Sequence, residues 1–208
     1  IPQNPDYNGA EMEGSTVYQI TTKDGFRASA ARSYLWPARK RSNLDVQTRA
    51  HVNRVLLDGK RAVGVEYRQK GRSIIAHARR EVILCGGAVN SPQLLQLSGI
   101  GPAAVLQKYG LHVVHDAPQV GRNLQDHLGA DYMFRAKVPS LNEQLRPLLG
   151  KLRVGLQYVL ARKGPLSLSL NQGGGFVRLN DASDRPDLQL YFSPVSYTRA
   201  PVGTRPLM

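Results

Sequence analysis

Gly87-Ala88-Val89-Asn90-Ser91-Pro92-Gln93-Leu94-Leu95-Gln96-Leu97-Ser98-Gly99-Ile100-Gly101 decides how the chain is read, because a turn, a helix start, an apolar helix face and a glycine stop share this short segment. It follows Glu81-Val82-Ile83-Leu84-Cys85, an apolar run of the kind that forms a buried strand. A strand that ends in glycines and feeds a helix is how α/β sheets bring backbone N–H groups against a phosphate or cofactor edge. The Ser91 hydroxyl is suited to cap the helix, and Pro92 to its first position, where the missing N–H costs nothing. Leu94, Leu95 and Leu97 supply the buried face, and Gly99 and Gly101 end it.

Working upstream, residues 45–55, 61–69 and 73–80 read as three extended segments. The turns Leu57-Asp58-Gly59-Lys60 and Gln69-Lys70-Gly71-Arg72 are short and carry glycine, as hairpins require. This predicts an antiparallel meander that returns into a parallel strand over residues 82–85. Earlier still, residues 15–22 alternate as a strand does, and residues 28–35 form a short helix ended by Pro37. Downstream, Pro102 starts a helix running to Tyr109 and closed by Gly110, and residues 111–114 form a further short strand. Beyond Asp131 the character changes. Leu145, Leu148, Leu149, Leu152, Leu156 and Val159 recur at helical spacings, interrupted by Pro147 and Gly150, and residues 173–177 and 187–192 read as strands of a second sheet. No internal repeat or low-complexity tract is present.

Composition bounds the reading more loosely. With 208 residues, 41% of them hydrophobic, the chain has enough apolar material for one or two domains, and 20 Gly with 13 Pro point to many turns. Lys plus Arg 28 against Asp plus Glu 15 gives a net charge of +13. Those cations are scattered over Arg39-Lys40-Arg41, residues 68–80 and residues 146–163, without a groove-entering helix or interleaved aromatics, so a nucleic-acid partner is not expected. A solvated basic face of the kind common in high-GC bacteria accounts for them. One cysteine excludes an internal disulfide framework and fits a reducing compartment. No apolar run reaches the roughly 20 residues of a membrane span.

The Gly87–Gly101 segment resembles the second signature of the glucose–methanol–choline (GMC) family of flavin-dependent alcohol oxidoreductases. Asp6-Tyr7-Asn8-Gly9-Ala10 with Glu13-Gly14, and Arg27-Ala28-Ser29-Ala30-Ala31-Arg32-Ser33-Tyr34-Leu35, resemble the family's central region in the same order. Val120-Gly121-Arg122-Asn123-Leu124-Gln125-Asp126-His127 resembles the segment after the signature, with a weaker echo over residues 171–176. The resemblance implies an α/β plus α+β chain: part of a FAD-binding Rossmann-like domain with an antiparallel meander, and part of a mixed-sheet substrate domain. The boundaries expected are residues 1–20 for a substrate-domain edge, 21–130 for the middle of the FAD-binding domain, and 131–208 for the first portion of the substrate domain. The family's opening G-x-G-x-x-G and its catalytic histidine near the C-terminus have no counterpart among these residues, so the chain is expected to be an internal fragment, inactive alone, with no catalytic residue of its own.

Several residues carry what the resemblance implies. Val52 corresponds to the valine whose backbone meets the adenine of FAD; read without the family it is an ordinary β-branched strand residue. Cys85, Gly86, Gly87 and Ser91 stand where the strand leaves the sheet beside the expected nucleotide, small enough for close approach; the plain alternative is a tight turn. A lone apolar-flanked cysteine is usually an inert small hydrophobe rather than a reactive thiol. Asp126 and His127 form either an acid–imidazole pair near the flavin or a structural loop anchor, the latter being the commoner outcome for sequence neighbours. His112 and His115, three apart on a strand, face opposite sides and do not converge on a metal. Gln172 stands where choline-oxidising members are expected to carry a glutamate, and a neutral amide removes the main attraction for a quaternary ammonium. The resemblance therefore implies a FAD-dependent dehydrogenase passing hydride from a primary, uncharged alcohol, or choline, to flavin. Its partners would be that small alcohol and a quinone or other electron acceptor, in a protein that is cytoplasmic or peripheral at the inner membrane. The rivals are a FAD-containing lyase of the same fold, a non-catalytic truncated interaction module, and NAD-linked chemistry, which lacks its glycine fingerprint here.

Overall fold

The computed structural model describes residues 1–180 and 182–196. They divide into two compact units, one built from residues 1–44 with the described residues from 131 onward, the other from residues 45–130. Residues 21–44, expected with the cofactor portion, cluster with the first unit instead.

In chain order the first unit opens with β1, Gly14–Val17. The hairpin strands β2, Thr22–Lys23, and β3, Phe26–Arg27, follow around Asp24 and Gly25, both at positive φ. A π-helical turn over Ala31–Leu35 runs into α1, Trp36–Ala38. Pro37 does not end this helix, as the sequence predicted. The Trp36 N–H reaches back five residues to the Ala31 carbonyl, and this wider turn is one way a helix accommodates a proline ring.

The second unit begins with β4, His51–Asp58, β5, Arg61–Gln69, and β6, Arg72–His77, an antiparallel meander of order β4-β5-β6. The expected meander and its two turns are borne out, with β4 starting at His51 rather than at residue 45 and β6 ending at His77 rather than at residue 80, and Lys70 and Gly71 both take positive φ, as a type I′ hairpin turn requires. Register shifts between Val52 and Arg54, and between Leu56 and Leu57, mark bulges that raise the local twist. Next come α2, Gly87–Leu97, β7, Ile100–Gly101, α3, Ala103–Lys108, and β8, His115–Asp116, which pairs parallel with β7.

Two local expectations in this unit are corrected. Residues 82–85 form no ladder. Their alternating pattern is there, with Ile83 73% exposed, but no described strand runs beside them to take their backbone hydrogen bonds. The short strand expected over residues 111–114 forms instead at β8, because the Val114 and His115 N–H groups both donate to the Gly99 carbonyl. Gly99 permits that approach: at φ +87 it would carry a Cβ 2.5 Å from the His112 carbonyl oxygen.

The first unit resumes with α4, Leu141–Leu145, and α5, Leu148–Ala161. Ser140 and Glu143 close a capping box on α4. Of the two expected interruptions only Pro147 breaks the helix. Gly150 lies inside α5 and lets the Gln144 carbonyl come close where any Cβ would collide. Finally β9, Gly173–Val177, is flanked by β1 and by β10, Leu188–Phe192, in an antiparallel sheet of order β1-β9-β10. Among the described residues the buried apolar side chains are Val55 and Leu106 in the second unit and Val154 in the first.

Candidate cofactor and substrate site

The turn into α2 holds the expected cofactor residues of the second unit. Gly87 takes φ +82, which disfavours any side chain, and a Cβ built there would meet nothing within 4 Å. The backbone at the helix start is thus bare on one side. Ser91 is not the N-cap; it lies inside α2, and its Oγ accepts from the Gly86 N–H at 3.0 Å. The hydroxyl therefore still satisfies one N–H at the helix start, from five residues away. Pro92 likewise sits within the helix rather than at its first position. Cys85, immediately before the turn, is an exposed free thiol.

Val52 lies on β4, paired with Tyr67 of β5 at the edge of the meander, with the bulge beginning beside it. An edge strand keeps one side of its backbone free of ladder bonds. Three residues on, the Val55 N–H turns away from the sheet and donates to Ser98 Oγ at 2.8 Å, while that hydroxyl donates to the Leu94 carbonyl at 2.5 Å. Ser98 is buried, so one hydroxyl ties the end of α2 to β4. Sequence reasoning missed this residue. Its only signal was a serine standing directly after an apolar helix face. Farther along, Gln96 Nε2 donates to the Val120 carbonyl at 3.0 Å and Asp116 Oδ1 accepts from the Ala103 N–H at 2.9 Å, fixing the chain that leads to residues 123–127. There Asp126 Oδ1 accepts from the backbone N–H of His127 at 2.8 Å, the loop-anchor geometry rather than an acid–imidazole pair.

The first unit holds Gln172. It directly precedes β9; its N–H donates to the Phe192 carbonyl and its own carbonyl accepts from Tyr18 N–H. The glycines of β9 let neighbours press close: a Cβ on Gly174 would collide with the Leu190 carbonyl and lie 2.7 Å from the Tyr18 hydroxyl. That hydroxyl donates to the Leu190 carbonyl, and partial burial pushes the Tyr18 phenol above its ordinary range. Tyr7, Tyr18, Phe176 and Tyr191 form a connected aromatic cluster, with ring centroids 5.6–5.8 Å apart. Below it, Glu13 accepts from the Arg178 backbone N–H at 3.1 Å and from its Nε at 2.8 Å, with Nη2 at 2.7 Å. Those bonds hold the Glu13 carboxyl below its usual range.

Recesses open in each unit among the described residues. One of about 320 Å³ is lined in part by Gly9, Glu11, Glu13, Arg178 and Arg185, and one of about 120 Å³ by Leu57, Lys60, Ile100, Val114 and His115. Neither is lined by Val52, Cys85, Ser91 or Gln172. Among the described residues no group of three His, Cys, Asp or Glu side chains is arranged to hold a metal.

An antiparallel meander packed against a helix that starts at a two-glycine turn, in a chain that also carries a second unit of helices and an antiparallel sheet, is a mixed α/β architecture of the kind found in Rossmann-like cofactor-binding proteins. The chain belongs to the GMC oxidoreductase family, whose pattern matches residues 1–129. It is 44% identical over 197 residues to "Alcohol dehydrogenase [acceptor]" of Pseudomonas putida, covering 93% of this chain and 36% of that protein. To "Oxygen-dependent choline dehydrogenase" of Staphylococcus xylosus it is 42% identical over 208 residues, 97% of this chain and 36% of the relative. Pyridoxine 4-oxidase from Mesorbium loti shares its fold with a TM-score of 0.70 and 30% identity, over 92% of this chain and 35% of that one. The chain thus spans about a third of the length of the relatives it matches.

Proposed function

We propose that these residues are the middle portion of a FAD-dependent alcohol oxidoreductase, and that the turn at Cys85, Gly86 and Gly87 with the edge strand at Val52 forms part of the FAD wall. The observation that carries this reading is the open backbone at Gly87, at the start of an 11-residue helix, in a chain of this family. The chemistry of the turn supports this reading. A side-chain-free turn at a helix start presents N–H groups and a favourable dipole to a phosphate-bearing ligand. Ser91 keeps the turn in shape by holding the Gly86 N–H, and Ser98 keeps α2 seated on β4. FAD supplies the acceptor for a hydride taken from an alcohol carbon.

Gln172 belongs to the substrate side of this reading. Its neutral amide, backed by backbone bonds to Tyr18 and Phe192, gives a quaternary ammonium no opposing charge, so an uncharged primary alcohol is the preferred donor. A quinone or other acceptor would reoxidise the flavin, with the protein cytoplasmic or attached peripherally to the inner membrane. No helix among the described residues is long and apolar enough to cross a membrane.

The test uses the polypeptide expressed together with any coding sequence that flanks this frame. Anaerobic addition of an aliphatic primary alcohol should bleach its visible flavin band, and choline should do so far less readily. A protein that purifies without FAD would overturn the enzyme reading, whereas bleaching by choline in preference to uncharged alcohols would overturn only the substrate assignment.

A further inference from the structure

Helix α2 is gripped from two sides at its C-terminal end. On one side the Ser98 hydroxyl accepts the Val55 N–H of β4 at 2.8 Å. On the other, Gln96 Nε2 donates to the Val120 carbonyl at 3.0 Å, in the turn that follows β8. At 3.6 residues per turn, side chains two positions apart leave a helix about 200° from each other, so the two bonds hold nearly opposite faces.

The surrounding chain is shaped to admit the Gln96 side chain. A Cβ on Gly101 would lie 2.9 Å from Gln96 Cγ, and a Cβ on Gly121 would lie 2.7 Å from Gln96 Nε2. Gly121, at φ +81, needs glycine for its backbone as well. Gly101 does not: it is buried and lies outside the left-handed region, so the stem of Gln96 is what asks for glycine there. Fixing a glutamine side chain costs about as much rotamer freedom as one neutral hydrogen bond returns. What the arrangement yields is therefore orientation more than stability. A helix anchored at one point, the Ser98 hydroxyl, is free to roll about its axis, and a second grip on the far face stops the roll. The helix is a rigid element, so a roll at its end is carried to its start, where the Gly86-Gly87 turn lies.

We propose that Gln96 is a positioning residue for the flavin nucleotide, wedged between Gly101 and Gly121 so that α2 keeps the Gly86-Gly87 turn aimed at the bound ligand. This rests on the reading of that turn as part of the FAD wall. Gln96 itself does not touch the cofactor; it acts through the helix.

The experiment measures FAD dissociation constants of the polypeptide expressed together with any coding sequence that flanks this frame, with urea midpoints of the flavin-free forms alongside. Gln96→Ala should raise the FAD Kd about tenfold, as preorganisation is lost, while moving the flavin-free midpoint little. Gly101→Ala, which pushes the Gln96 stem from its seat, should weaken FAD binding in the wild-type background and add nothing further in the Gln96→Ala background. Circular dichroism checks folding, and Gln96→Met, which keeps the length of the side chain and drops the donor, replaces the Ala variant if that one unfolds. A FAD Kd unchanged by substitution of Gln96 would overturn the proposal and leave the FAD wall standing, and so would independent, additive effects of the Gln96 and Gly101 substitutions. Absence of FAD binding by the wild type would overturn both.

Discussion

A single hydroxyl, that of Ser98, joins helix α2 to strand β4, accepting from the Val55 N–H and donating to the Leu94 carbonyl. Ser98→Ala would leave the Val55 N–H buried without a partner, so urea unfolding should show a loss of about 1–3 kcal/mol; an unchanged midpoint would mean that water replaces the hydroxyl. The Glu13–Arg178 pair acts through pH instead. Because the folded carboxyl titrates below its ordinary value of 4.5, its contribution is present above that value and is lost as pH falls through the lower folded one. Urea midpoints of the wild type should therefore drop on acidification below pH 4.5, and the drop should be smaller in Glu13→Gln. Gln172 carries the substrate prediction: in a flavin-loaded longer protein, Gln172→Glu should raise kcat/KM for choline about tenfold relative to an uncharged alcohol, the worth of one opposing charge near a cation. A constant ratio would remove Gln172 from specificity.

At the scale of elements, β9 shows what its run of glycines accomplishes. Gly173, Gly174 and Gly175 pair with β1 on one side and β10 on the other, and Gly174 leaves room for the Tyr18 side chain to reach across the strand. Gly174→Ala would push against the Leu190 carbonyl and the Tyr18 hydroxyl, so a loss of about 1–3 kcal/mol in thermal or urea unfolding is expected. The meander β4-β5-β6 was legible in the sequence because alternation and the Lys70-Gly71 turn both act over short distances. The strand expected over residues 82–85 was not settled by the same logic: its side-chain pattern is local, but a ladder needs a neighbour that no pattern within the segment supplies. The start of α2 was misplaced for a related reason. Ser91-Pro92 has the chemistry of a cap, yet the helix starts at Gly87, with Ser91 reaching back to Gly86.

Taken whole, the described residues bury few apolar side chains and leave many at the surface, Leu148, Leu149 and Leu160 on α5 among them. It also spans about a third of its relatives' length. In a longer polypeptide that carries the complete flavin site, added FAD should raise the thermal midpoint, by about 2.7 kcal/mol of stability at a hundredfold excess over Kd. Gly87→Ala should weaken that response, because φ +82 strains any L side chain and the Cβ would fill the open face of the turn. A variant that retains FAD as well as the wild type would place the phosphate elsewhere. The sequence by itself determined the family, the meander, the Pro147 break and the position of Gln172 before its glycine strand, since each rests on residue types and spacings within a few turns of chain. Only the tertiary structure decided that Ser98 ties α2 to β4, that residues 21–44 cluster with the first unit, and that Asp126 serves the His127 backbone. Those depend on which distant groups meet, and hydrogen-bond partners 43 or 165 residues apart, as for Val55–Ser98 and Glu13–Arg178, leave no periodic trace in the chain.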